Sequence, residues 1–350
     1  MARDLIDVLD EMHPDVAKAF RASITLMEND VRVALIESAL ARQAVSEAVE
    51  LLDFDQAYYA PLREAMAAAY AAGGSFALDE IRAAGRTRGI AGAAIGHFDG
   101  SNPRAEEWLR ARTSSLISEI REDQRAAVRQ ALNASWTRGD SPRTTALDLV
   151  GRTNRLTGRR EGGILGLTER MSGWADAAAD ELRSSSARVR EGYFRRELRD
   201  RRFDSLIRRH IREGTEIPEE DIRKIAGRMR SRILKYRGNM IARTETLTAL
   251  NSSYFEGLEQ QIGQGHVDRN LTILTWDAAN DLATRPHHAS MDGQERRPGE
   301  PFVSGLGGLL MHPGDVSHGA SGADRINCRC RLVTRIDFVQ QFLDRQAASG

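Results

Sequence analysis

The sequence predicts an α+β protein, predominantly α: a long helical N-terminal region followed by a small α+β C-terminal domain with short strands. Three observations predict it. Apolar residues recur at steps of three and four over most of the chain up to Gly263. After Gly265 that period disappears, and "LTILTW" at 271–276 is a β-branched run suited to a strand. The segment 292–325 is rich in Gly and Pro, the composition of turns and short strands. At 350 residues the chain also exceeds what one hydrophobic core usually serves.

The first helix is expected from Pro14, which suits a first helical turn. Val16, Phe20, Ile24, Met27, Val31 and Leu35, then Val45, Val49 and Leu52, read as one continuous amphipathic helix. An Ala-rich helix follows, which Gly73 and Gly74 are expected to end or bend. "GRTRGIAGAAIGHFDGSNP", at 85–103, lacks a helical period and reads as a connection. Asn102-Pro103 and Ser141-Pro142 each pair a cap residue with a first-turn proline, so helices restart there. Trp108, Leu109, Leu116, Ile117, Ile120, Val128 and Leu132 form the stripe of the first of these. The last long helix is expected from about Asn239 to Gly263, with Tyr254, Leu258 and Ile262 on its apolar side. "GLGGLL", at 305–310, reads as a hairpin, since no capped helix follows to make it a phosphate loop. In "INCRCRLV" the alternation puts Cys328, Cys330 and Leu332 on one strand face. The chain thus divides into a helical region at 1–97 with no assigned role, a helical region at 98–265, an α+β domain at 266–336 and a C-terminal helix or tail at 337–350.

Composition narrows the function classes. No run of eighteen apolar residues occurs, and the acidic N-terminus is unlike a signal peptide, so synthesis in a cytoplasm and no membrane partner are expected. Two cysteines supply no disulfide framework. The net charge of zero hides an asymmetry: residues 1–70 carry 13 acidic against 6 basic residues, and residues 183–243 carry 19 basic against 9 acidic. Within the second block Arg195, Arg196, Arg199, Arg201, Arg202, Arg208 and Arg209 alternate with aromatic residues, which suits a phosphate backbone or an acidic protein partner. Interleaved Glu and Asp also suit a solvated helix face held by i,i+4 pairs. The preference for Arg over Lys follows equally from a GC-rich genome.

Five of the eight histidines, at 266, 287, 288, 312 and 318, share the C-terminal domain with both cysteines. Two thiolates on one strand face plus His288 give three soft ligands, with Asp292, His312, His318 or water as the fourth. Against zinc stands the tight C-x-C spacing; buried core thiols are the plainer reading, and a Cys nucleophile with His288 as base is a third. Asp281 and Arg285 are spaced for a structural ion pair. No G-x-S-x-G, Walker lysine or H-E-x-x-H occurs, so no catalytic residue is assigned and no cofactor other than zinc is expected.

The order of four motifs carries a resemblance. "IARTETLTALN" at 241–251, "TWDAANDLATRPHHASMDG" at 275–293, "HPGD" at 312–315 and "INCRC" at 326–330 resemble the phage Mu protein F-like family, the minor head or head morphogenesis proteins of tailed phages. That family has an A-R-T-E helix, a W…D…R…H…G block, a P-G-D turn and a closing N-C-R-C strand. His288, three residues after Arg285, occupies the family His position, and Gly293 the following Gly; His287 is extra. The specific likeness covers about 241–333 and weakens back to about Phe98. It implies a low-copy structural component of the virion, at the head or portal vertex. Such a component docks on the portal protein through the helical region 98–265 and meets the major capsid or scaffold protein during procapsid assembly. It also implies an influence on packaging or ejection of double-stranded DNA. The alternative is a Cys/His or metal-dependent hydrolase or toxin-like enzyme in the C-terminal domain.

Overall fold

The computed structural model describes residues 4–52, 54–87, 96–282 and 284–349. It is predominantly helical with a few short strands in small sheets, as the sequence predicts. Part of the glycine-rich connection expected at 85–103, residues 88–95, lies outside the described residues. Two compact units are drawn from discontinuous segments: Met1–Ala17, Arg63–Thr113 and Asn239–Gly350 in one, Lys18–Leu62 and Ser114–Gly238 in the other. Limits read at 97, 265 and 336 follow composition along the chain, whereas these units follow contacts.

The N-terminal helices are α1 (Leu5–Asp30), α2 (Val33–Ala41), α3 (Val45–Glu50) and α4 (Ala60–Thr87). The helix expected from Pro14 begins earlier, because Asp4 caps it: Asp4 Oδ1 accepts from the Ile6 and Asp7 amides at 2.9 Å, and Asp7 returns a bond to Asp4 N at 2.8 Å. Pro14 therefore lies inside α1. The single helix expected through Leu52 is three, because Arg32 is extended and Gln43 takes a left-handed backbone (φ 61°). The apolar period runs across both breaks, which is why it hid them. Gly73 and Gly74 do not interrupt α4. They are where it meets other chain: a Cβ on Gly73 would stand 2.4 Å from Leu250 O and 2.7 Å from Leu250 Cα, and one on Gly74 2.4 Å from the Phe98 ring.

The second unit holds α2, α3, the 36-residue α5 (Pro103–Arg138) from Ser114 onward, α6 (Pro142–Val150), α7 (Glu169–Arg183), α8 (Ala187–Glu191) and α9 (Asp204–Glu213). Ser141 caps α6 by accepting from Thr144 N at 3.2 Å, and Thr168 caps α7 by accepting from Met171 N at 3.1 Å. A short hairpin pairs β1 (Arg152–Thr153) with β2 (Arg160–Glu161). Phe20, Ile24, Ile117, Ile120, Leu165 and Ile233 are buried in this unit. Arg237 is buried with them, its charge answered by Asp123 at 2.6 Å and Gly166 O at 2.8 Å.

The first unit is built on the C-terminal half of α10 (Glu219–Gly263), a helix that starts upstream of the expected Asn239. The expected apolar side is present, with Tyr254 and Leu258 buried. Next to it a three-stranded antiparallel sheet has the order β4 (Glu295–Arg296), β3 (Thr272–Asp277), β7 (Arg331–Ile336). β3 is central because its alternate residues are buried, and Trp276 pairs in register with Leu332. β5 (Phe302–Val303) and β6 (Leu309–Leu310) form the hairpin expected at "GLGGLL". Short helices α11 (Pro286–Ala289) and α12 (Gly322–Arg325) lie in the turn-rich segment, and α13 (Phe338–Ser349) closes the chain. One core joins these parts: Leu247, Leu250, Tyr254, Trp276, Phe302, Cys328, Cys330 and Leu332 with Leu5, Val8 and Leu9 of α1 and Ala77 and Ile81 of α4.

Candidate functional site

Fewer than two turns of α10, residues 243–248, gather the motifs of the first unit. Arg243 lies 3.6 Å from Asp10. Thr244 Oγ1 accepts from the Asn327 amide at 3.1 Å, and Asn327 takes the left-handed backbone (φ 53°) that an Asn tolerates. Glu245 and Arg112 form a buried pair, with Arg112 Nε donating to Oε2 at 2.8 Å. Thr248 meets the "PGD" turn: its Oγ1 is 3.3 Å from Gly314 O, and a Cβ on Gly314 (φ 82°) would stand 2.6 Å from that same oxygen. The turn therefore needs glycine twice, for its conformation and for its contact.

The "INCRC" segment then delivers its cysteines to α11. Arg285, extended and followed by Pro286 in the first turn, starts α11 and holds "INCRC" by donating to Ala323 O and Ile326 O. The ion pair expected between Asp281 and Arg285 is replaced by one between Asp281 and Arg329, because Arg285 is committed to those carbonyls. His288 Nδ1 lies 3.5 Å from Cys328 Sγ and 3.4 Å from Cys330 Sγ, and Cys330 N donates to Cys328 Sγ at 3.4 Å. All three side chains are buried, at 3, 1 and 2% exposure. The cysteines precede β7 rather than lying in it, yet the alternation holds, with Cys328, Cys330 and Leu332 buried. Within the thiol pair the hydrogen bond from Cys328 to Cys330 pulls the Cys330 thiol down against burial, assisted by His288; that same bond and burial push Cys328 well up.

The three side residues weighed as a fourth ligand are engaged elsewhere. Asp292 accepts from Ala278 N at 2.9 Å and Asn280 Nδ2 at 2.8 Å. His312 Nδ1 bonds Pro313 O at 3.1 Å, and burial lowers its pKa. His318 shares a bond of 2.8 Å with Ser317 and lies 3.4 Å from Asp315. A residue that sequence reasoning missed is Asp324 of α12: it is fully buried, and among the described residues it groups with His287 and His288, their ligand atoms within 4.8 Å of one another. Asp324 Oδ1 and His288 Nε2 are both buried without a hydrogen-bond partner.

The basic block of the second unit is not one helix but α8, two 3-10 turns and α9. Part of its charge is spent internally. Arg196 pairs with Glu181 at 2.7 Å, Arg199 with Asp204 at 3.2 Å, and Arg202 with Asp200 at 2.5 Å, which lowers the Asp200 pKa. Arg208 lies over the Phe194 ring, 4.8 Å from its centroid. Arg195, Arg201 and Arg209 are exposed.

The family model described as Phage Mu protein F like protein matches residues 203–333. Over that segment the chain is similar to the phage Mu protein F-like family. The match begins upstream of the 241 expected from the motifs, taking in α9 and the start of α10. No curated protein and no solved structure matches the chain. The family is one of phage head morphogenesis, which is structural work. Among the described residues no helix is long and apolar enough to cross a membrane. The Mu F-like segment contains every motif bond described above to Asn327, Gly314 and His288.

Proposed function

We propose that this chain is a structural minor head protein of a tailed phage, which associates with the portal during procapsid assembly and influences DNA packaging or ejection. The match of residues 203–333 to a head morphogenesis family carries this reading. The geometry supports it, because the motif residues Thr244, Thr248, Arg285 and Asn327 hold segments together. Residues 98–265 would meet the portal, with the major capsid or scaffold protein as the other neighbour, and the product would reside in the virion at the portal vertex. Arg195, Arg201 and Arg209 offer the free positive charge for double-stranded DNA or an acidic portal face.

Co-expression of the full chain with portal, capsid and scaffold proteins tests it. The chain should co-purify with the portal ring and appear in assembled heads at low copy number. Portal-containing heads that assemble with the chain in excess and exclude it would refute the proposal. The hydrolase alternative draws on the Cys330 and His288 pair, a nucleophile and base arrangement. Its burial argues against it, since a substrate would have to displace core residues to reach the sulfur. Turnover of an ester or a nucleotide by the purified chain, abolished by Cys330→Ser, would favour that alternative.

A further inference from the structure

We propose that Cys328, Cys330 and His288 form a zinc site, with Asp324 as the positioning residue for His288. The distances fit the ion. A tetrahedral zinc with Zn–S near ~2.3 Å and Zn–N near ~2.0 Å sets its nitrogen and sulfur ligands about 3.5 Å apart. His288 Nδ1 lies 3.5 and 3.4 Å from the two sulfurs. A hydrogen bond explains only one of these contacts, since a ring nitrogen has one proton or one lone pair to offer. A cation at the centre of the triangle satisfies both. Two thiolates and an imidazole are the soft donor set that zinc takes, and a fourth, non-protein ligand completes the shell. On binding, each thiol still protonated releases its proton to solvent.

The second observation is the pair of buried orphans. With Nδ1 on the metal, the proton of the neutral imidazole sits on Nε2, which has no partner in the protein. Asp324 is a buried carboxylate nearby: one of its oxygens lies within 4.8 Å of a His288 ring nitrogen, its Oδ1 is unpaired, and Ser321 Oγ donates to its Oδ2 at 2.9 Å. A carboxylate behind a metal-bound histidine sets its tautomer and orientation. The site would tie α11 to the segment before β7 across 40 residues of turn-rich chain, where regular secondary structure supplies few bonds. This inference does not depend on the role in head assembly.

The test uses the untagged, full-length protein grown with added zinc. Elemental analysis should find about one zinc per chain, and less than about a tenth overturns the proposal. X-ray absorption at the zinc edge should show two sulfurs near ~2.3 Å. Because Cys328 and Cys330 are the only cysteines in the chain, two such sulfurs assign the site without any variant that might misfold. Zinc surrounded by oxygen and nitrogen alone overturns it, and another metal in the same shell overturns the choice of ion. Asp324→Asn should still bind zinc but yield it to chelator roughly 10–100-fold more readily. Unchanged affinity removes Asp324 from the site.

Discussion

Gly73→Ala separates two opposite expectations for one residue. At an open helical position, replacing Gly by Ala gains about 0.5–1 kcal/mol through helix propensity. Gly73 is not open. The added Cβ would lie 2.3 Å from Ser253 Oγ, 2.4 Å from Leu250 O and 2.7 Å from Leu250 Cα. The serine hydroxyl can rotate, but the other two atoms are backbone of α10, so the helices must separate by about 1 Å to restore van der Waals contact. Overpacking of this kind costs about 1–3 kcal/mol, leaving a net loss of about 0.5–2 kcal/mol after the propensity gain. Gly173 in α7 is the control, because its Cβ would meet only Gln130 Nε2, at 3.9 Å; there Ala should stabilise. Calorimetric unfolding of both variants, with hydrogen exchange read over 66–80 and 247–257, measures the contrast. If Gly73→Ala raises the melting temperature as Gly173→Ala does, the close approach of α4 and α10 is wrong.

Three further outcomes are expected. Glu245→Gln removes the carboxylate that faces the buried Arg112 and should cost about 3–5 kcal/mol in urea unfolding, whereas Arg112→Met with Glu245→Met should recover most of it; equal losses would mean that the pair is not what holds the helices. Burial raises the Glu28 pKa to about 8, against help from Arg160, so its contribution to stability is fullest below the ordinary pKa of 4.5 and is lost as pH rises towards 8. Glu28→Gln should therefore be the more stable protein at pH 8 by an amount that shrinks at pH 5, and a pH-independent difference would contradict the burial. Replacing Arg195, Arg201 and Arg209 by Gln should flatten the salt dependence of DNA binding by about one unit of slope per lost phosphate contact. Replacing Arg196, which Glu181 already neutralises, should change stability more than binding.

What the sequence conveyed depended on how local the physics was. The cap at Ser141, the β-branched run of β3 and the alternation of Cys328, Cys330 and Leu332 are decided by neighbours in the chain, and the pattern shows them. Gln43 breaks a helix through its own backbone conformation, which a hydrophobic period spanning the break conceals. Gly73 was legible as a glycine but not as a contact, because the partner backbone at Leu250 is far away in sequence. The charge of the Arg-rich block overstates what its surface offers, since Glu181, the acid that neutralises Arg196, lies outside the counted segment. Asp324 carried no signal, for a lone carboxylate acquires meaning only when α12 is folded beside α11.

The order of the four motifs has a physical explanation in α10. Arg243, Thr244, Glu245 and Thr248 face different segments because residues one apart on a helix point about 100° from each other. They reach Asp10, Asn327, Arg112 and Gly314 in turn. Fewer than two turns of helix therefore fix α1, α5, the "PGD" turn and the "INCRC" segment against one spine. "INCRC" is also held by Arg285, from the block that contains His288, so the cysteines are constrained from two sides. None of these bonds needs a substrate, and each needs its residue type: hydroxyls that meet backbone groups, a carboxylate for a buried guanidinium, a glycine with positive φ. Four motifs scattered over some ninety residues but drawn onto one helix make a structural core, and the assembly role proposed above rests on that core as well as on the Mu F-like match.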